Sequence, residues 1–194
     1  IKKIILFGIG KNMFLQNAIS KRVDDKNPVK VALIGAGKFG SMFLSQLPTT
    51  SGLEVVAIAD LEPENARKAC KNVGWDEELI SKTKFVDSGI KAIELSEVEV
   101  VIESTGFPSA GIEHARQAFS NGKHIIMVNV EADVLAGASL VKEAHSAGVV
   151  YSMAYGDQPA LTAEIVDWAR TSGFHVSAAG KGTKYHPSFE YSTP

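Results

Sequence analysis

The run Val31-Ala32-Leu33-Ile34-Gly35-Ala36-Gly37-Lys38-Phe39-Gly40 carries an apolar, β-branched stretch straight into G-x-G-x-x-G, and Ser41 to Leu47 continue with helical spacing. A strand, a glycine turn and a helix in that order leave little freedom of interpretation. Gly35 permits the tight turn, Gly37 lets a pyrophosphate approach bare backbone, and Gly40 lets the helix pack closely on the strand. The phosphates would then rest on unpaired N–H groups at the helix start. A second apolar run, Leu53 to Ala59, ends at Asp60, about 20 residues on, where a ribose-binding carboxylate belongs. Gly35, Gly37, Lys38, Phe39, Gly40 and Asp60 are therefore the expected dinucleotide contacts. An ordinary glycine turn is the plainer alternative. Ile4 to Met13 offers such a decoy, with Met13 at the third glycine position and no acidic residue after a second strand.

At 194 residues, 45% apolar content and a net charge of -2, the chain is long enough for a substantial core. Twenty basic residues against 22 acidic ones leave no electrostatic footprint for nucleic acid, and no nucleic-acid or membrane partner is expected. The single cysteine, Cys70, excludes an internal disulfide and suits a reducing, cytoplasmic setting. Lys2-Lys3 before a short apolar run imitates a signal peptide, but the run breaks at Gly8 and Gly10 without a cleavage site. Residues 1–12 read as an extension of non-native character, and Met13 as a plausible start. Residues 13–28 then form an N-terminal helix and linker.

From there strand and helix patterns alternate: strand 29–34, helix 39–47, strand 53–59, helix 63–73, a short strand at 85–86, a short helix at 89–95, strand 98–102, helix 108–121, strand 124–128, helix 131–147, strand 149–154 and helix 159–172. This predicts an α/β protein, a Rossmann-type doubly wound parallel sheet with helices on both faces, over 29–172. Residues 173–194 read as the start of a substrate or catalytic domain that breaks off.

Ligands of such sheets bind at the carboxyl ends of the strands. Ser104, Thr105 and Gly106 follow one buried strand, and Asn129 follows the next; all four are candidate cofactor contacts. Capping the following helix is the competing, and compatible, role for Ser104 and Thr105. Glu131, Asp133 and Asp157 offer hard oxygen ligands for Mg²⁺ or Mn²⁺, with helix capping as the alternative. Gly180-Lys181-Gly182-Thr183-Lys184 combines two ammonium groups, a hydroxyl and glycine-exposed amides, which suits a phosphorylated small-molecule substrate as well as it suits a solvated turn. The candidate catalytic residues are thus Glu131, Asp157, Lys181 and Lys184, and the candidate metal ligands Glu131 and Asp133. Five histidines without ligand spacing make a zinc site an unsupported option.

Glu103-Ser104-Thr105-Gly106 resembles the E-S-T-G of glyceraldehyde-3-phosphate dehydrogenases, whose mechanism requires a later active-site cysteine that this chain does not supply. Gly122-Lys123-His124-Ile125-Ile126 with Asn129 is similar to homoserine dehydrogenases, and Asn129 with Glu131 to the A-N-K-E of deoxyxylulose-5-phosphate reductoisomerases; Val130 stands where both place lysine, which weighs against homoserine oxidation. Val31 to Leu44, Val128 to Asp133, Gly156 to Leu161, Val166 to Arg170 and Ala178 to Tyr185 together resemble the bacterial homoserine-dehydrogenase-like or SAF-domain oxidoreductases, closest to those that act as reductoisomerase-like enzymes. The resemblance implies an NAD(P)H-dependent oxidoreductase that converts deoxyxylulose 5-phosphate to methylerythritol 4-phosphate for isoprenoid synthesis, and a homo-oligomer assembled through a region beyond this chain. A homoserine-dehydrogenase-like oxidoreductase and a non-catalytic dinucleotide-binding remnant are the alternatives. Asp60 favours NAD and the resemblance favours NADP, so the cofactor choice stays open.

Overall fold

Strand β1 (Val29–Ile34) is the strand on which both layers are built, because its side chains alternate between two cores. Val31 and Leu33 bury on one face of the sheet, Ala32 and Ile34 on the other. The computed structural model describes residues 15–155 and 158–180, and the chain divides into two units between Ser152 and Met153.

In the first unit α1 (Leu15–Asp24) precedes β1, followed by α2 (Lys38–Gln46), β2 (Leu53–Ala59), α3 (Pro63–Asn72), α4 (Glu77–Lys82), β3 (Lys84–Val86) and α5 (Gly89–Ile93). Then come β4 (Val100–Glu103), α6 (Pro108–Ser120), β5 (His124–Met127), α7 (Val130–Ser146) and β6 (Tyr151–Met153). The strand order is β3-β2-β1-β4-β5-β6, with parallel pairing of β1 to β2 and β4, β2 to β3, and β4 to β5. This is the doubly wound arrangement expected, and it puts the carboxyl ends of β1 and β4 side by side at the point where the strand order reverses. Helix α4 was not anticipated, although Asp76 caps it by accepting from the Leu79 N–H at 2.8 Å and acidic residues fill its first turn. β4 starts two positions later than its apolar run and ends on Glu103.

A register shift lies between Val31 and Ala32: Val31 pairs with Val55, Ala32 with Ala57, and Val56 is the extra residue. Val56 and Ala57 therefore both join the core of Ala32 and Ile34, while Val55 and Ile58 join the opposite one. Because strand side chains alternate, the extra residue reverses the facing of everything after it in β2. Asp60 inherits that facing.

Of the second unit, the described part holds α8 (Gln158–Thr171), along which Leu161, Ile165 and Trp168 are exposed, and a hydrogen bond from the Tyr155 hydroxyl to Glu164.

Helix α1 is fastened to the first unit by charge and by shape. The Arg22 guanidinium holds both carboxylate oxygens of Glu99, at 2.6 and 2.8 Å, and donates to the carbonyls of Asn27 and Pro28. Ile19 packs so closely on Gly52 that a Cβ there would lie 2.6 Å from its methyl. Partial burial pushes the Glu99 carboxyl up, but the Arg22 hydrogen bonds and the Lys30 N–H outweigh it and hold the group below the usual carboxylate range. A depressed carboxylate adds stability above its unfolded value and loses it as pH falls through its folded one. Arg22→Ala should therefore lower stability at pH 7 by about 0.5–1 kcal/mol, the scale of a solvent-screened pair. Thermal unfolding at stepped pH should show this difference shrinking below about pH 4.

Candidate functional site

The turn between β1 and α2 is shaped by three glycines in three different ways. Gly35 has φ +94°, a left-handed conformation, and a Cβ on it would lie 3.0 Å from the Ser104 carbonyl oxygen. Gly40 has no such strain, but a Cβ there would lie 2.4 Å from the Gly35 carbonyl oxygen. Around Gly37 there is open space: nothing lies within 4 Å of where its Cβ would be. The first and third glycines are thus demanded by the protein itself, whereas the second has no protein atom beside its Cβ position.

Gly37 is also the N-cap residue of α2, with no side chain to satisfy the first amides of the helix. Those amides face the open side unpaired, which is the condition for anion binding at a helix start. Lys38 is exposed at the first helical position, while Phe39 is half-buried and packs on the core beside Leu33 and Leu44.

Asp60 closes the turn from the end of β2. Its Oδ2 accepts from the Ala36 N–H at 3.0 Å and its Oδ1 from the Glu62 N–H at 3.1 Å, while its own N–H reaches the Val86 carbonyl. Each carboxylate oxygen has a lone pair to spare, so the group can serve the turn and still accept from a ligand hydroxyl. Arg67, one turn into α3, lies with its guanidinium 4.3 Å from the centre of the Phe85 ring and 3.5 Å from Glu64.

At the end of β4 the hydroxyls turn inward. Ser104 Oγ lies 2.9 Å from both the Ile34 and the Gly35 carbonyl oxygens, and the Ser104 N–H also donates to Ile34. Thr105 donates its hydroxyl to Glu103 Oε1 at 2.6 Å and accepts from the Phe107 N–H. Neither residue caps α6, whose N-cap position is Phe107 without a side-chain bond. Gly106 is exposed with φ +74°. Asn129, buried, spends both amide hydrogens within the protein, on the Phe107 carbonyl at 2.9 Å and Thr105 Oγ1 at 3.4 Å, and its Oδ1 caps α7 by accepting from the Ala132 N–H. Its side chain ties the ends of β4 and β5 together.

That cap belongs to Asn129, so Glu131 and Asp133 are not needed for it. Glu131 is exposed in the first turn of α7, and Asp133 Oδ1 accepts from the Tyr151 hydroxyl at 2.7 Å. Burial, that hydrogen bond and the charges of Asp133 and Glu103 push the Tyr151 phenol well above its ordinary value, so it stays a neutral donor. Among the described residues no group of three His, Cys, Asp or Glu side chains converges as a metal site. Asp157, Lys181 and Lys184 lie outside the described residues. Burial pushes the Cys70 thiol up to about 11, which makes it a packing residue rather than a nucleophile.

Glu103 and His114, which spacing alone does not mark as site residues, sit at the centre of this region. Glu103 is fully buried at the end of β4, and His114 of α6 faces its Oε1 with Nδ1 at 3.2 Å. The available signal was a charged residue ending an otherwise apolar strand.

Residues 29–155 match the family model described as oxidoreductase family, NAD-binding Rossmann fold. The chain belongs to that family. Residues 156–194 match a second model, oxidoreductase DRL, catalytic domain. No curated protein matches the chain. Among solved structures it is similar to homoserine dehydrogenase from Thiobacillus denitrificans, with a TM-score of 0.55 and 21% identity over 65% of this chain and 29% of that one. It is also similar to myo-inositol dehydrogenase from Lactobacillus casei in complex with NAD(H) and myo-inositol, with a TM-score of 0.56 and 23% identity over 73% of this chain and 42% of that one. The WlbA dehydrogenase from Bordetella pertussis, in complex with NADH and UDP-GlcNAcA, gives 0.55 and 18% over 75% and 42%. The chain thus spans 29% to 42% of the length of these structures, and the likeness is one of fold. No helix among the described residues is long and apolar enough to cross a membrane.

The contact at Gly40 is with backbone, which cannot swing aside as a side chain would. Gly40→Ala should therefore cost at least about 1–3 kcal/mol, seen as a lower midpoint in urea unfolding. An unchanged midpoint would mean that α2 can lift off the turn without loss.

Proposed function

We propose that the first unit binds NAD(H) or NADP(H) across the carboxyl ends of β1, β2 and β4, as the dinucleotide-binding part of an oxidoreductase. The observation that carries this reading is the open space at Gly37, set between two glycines that the protein's own backbone requires. The pyrophosphate would be held by the first amides of α2, the adenosine ribose by Asp60, and the turn beneath both by Ser104. When bound, the nicotinamide supplies a hydride donor or acceptor. The chain's own part is to bind and orient it.

Within that reading we favour a phosphorylated small-molecule substrate and a reductoisomerase-like conversion of deoxyxylulose 5-phosphate. Support comes from the DRL catalytic-domain match over 156–194 and from the paired lysines, Lys181 and Lys184, in its glycine-rich segment. Oxidation of a homoserine-like hydroxy acid is the second reading, favoured by the G-K-H-x-x…N pattern from Gly122 to Asn129. Turnover of NADPH with deoxyxylulose phosphate, against turnover of NAD⁺ or NADP⁺ with homoserine, separates the two.

At Gly37 no protein atom lies within 4 Å of the Cβ position, so in Gly37→Val the fold should survive while dinucleotide binding is lost. Calorimetric titration with NADH and NADPH measures this, and an affinity equal to wild type would remove the assignment. Asp60→Ala should shift the ratio of the two affinities toward NADPH, since the carboxylate repels a 2′-phosphate. Equal shifts in both would show that Asp60 serves only the turn.

A further inference from the structure

Glu103 occupies an expensive position. It is 0% exposed, and its Oε2 is buried with no hydrogen-bond partner among the described residues. A buried carboxyl group with an unmet oxygen costs stability. The side-chain hydrogen bonds of Glu103 among the described residues are all made through Oε1. That oxygen gathers the Thr105 hydroxyl at 2.6 Å, the Thr105 N–H at 3.3 Å and His114 Nδ1 at 3.2 Å. Room for the imidazole is cleared by Gly89, where a Cβ would lie 2.4 Å from His114 Nε2.

Three of these features lead to one place. Thr105 is adjacent to Ser104, whose hydroxyl and N–H hold the carbonyls of Ile34 and Gly35. Asn129 reaches the same Thr105 oxygen and the Phe107 carbonyl from the end of β5. The segment from Ser104 to Phe107 is thereby fixed against the glycine turn on one side and α7 on the other, with the buried Glu103 Oε1 accepting from Thr105 behind it.

We propose that Glu103 is a positioning residue for dinucleotide binding, acting through Thr105 to hold the Ser104–Phe107 segment in its binding conformation. The inference rests on the dinucleotide reading above and adds a residue that touches no ligand. Its cost in the buried core is offset by order at the site.

The test is NADH and NADPH titration of the whole chain by calorimetry, with thermal unfolding of each variant. Glu103→Gln keeps an acceptor oxygen for Thr105 and should bind within about threefold of wild type. Glu103→Leu should weaken binding by about tenfold or more, the loss of the Thr105 hydrogen bond, measured at a temperature where thermal unfolding shows the variant folded. Thr105→Val should weaken binding at least as much, since it also removes the Phe107 and Asn129 contacts, and adding Glu103→Leu to it should weaken binding by less than the product of the singles, because both remove the Glu103–Thr105 bond. Affinity in Glu103→Leu equal to wild type overturns the inference, as does a double variant weakened by the product of the singles. If Glu103→Leu does not fold, Thr105→Val with wild-type affinity is the overturning result, and tight Glu103→Gln beside weak Thr105→Val the supporting one. A wild-type chain that binds neither nucleotide overturns the dinucleotide reading and this inference with it; wild-type binding that survives Glu103→Leu overturns this inference alone.

Discussion

The first unit depends on one contact that admits no atom: the start of α2 lies against the Gly35 carbonyl, where a Cβ at Gly40 would come within 2.4 Å. That approach determines how steeply the chain turns out of β1, and hence where the first amides of α2 point. The same carbonyl receives the Ser104 hydroxyl, so the turn is held from the helix and from β4 together. Asp60 adds a third hold through the Ala36 N–H. A ligand meeting this turn finds it already assembled, and little binding energy is lost in ordering it.

Polar groups are distributed unevenly over the two sides of this site. Around β1 and β2 the backbone dominates, with the Asp60 carboxylate bonded to the Ala36 and Glu62 N–H groups. Beyond β4 the interior itself is polar: Glu103, His114, Thr105, Asn129 and the Tyr151–Asp133 pair lie where a doubly wound sheet of this size could have been apolar. Hydrogen bonds in that setting are stronger than in water and costlier to break. The arrangement ties the ends of β4 and β5 together by side-chain hydrogen bonds.

Much of the fold was legible because local signals and tertiary placement agree. β1 and β2 have the bounds their apolar runs suggest, and Pro63 and Pro108 open their helices as N-terminal prolines do. Helix α4 escaped notice because its six residues hold only Leu79 and Ile80 as apolar positions, too few for a period. At the site, spacing alone puts the three glycines in the turn between β1 and α2 and Asp60 directly after β2. The roles of Ser104, Thr105 and Asn129 could not, since a hydroxyl or amide near a strand end can cap a helix, meet a ligand or bond inward with equal local plausibility.

What the sequence determined by itself is the part encoded in short range: alternating strands and helices, a glycine turn after β1, and a carboxylate after β2. Tertiary structure decided which way those groups face and which are already engaged. The extra residue at Val56 shows itself only in the pairing of β1 with β2, yet it sets the face to which Asp60 belongs. Glu103 meets His114 from another helix, and Asn129 meets Thr105 from another strand. Such partners are chosen by packing across the sheet, and periodicity along one segment carries no information about them.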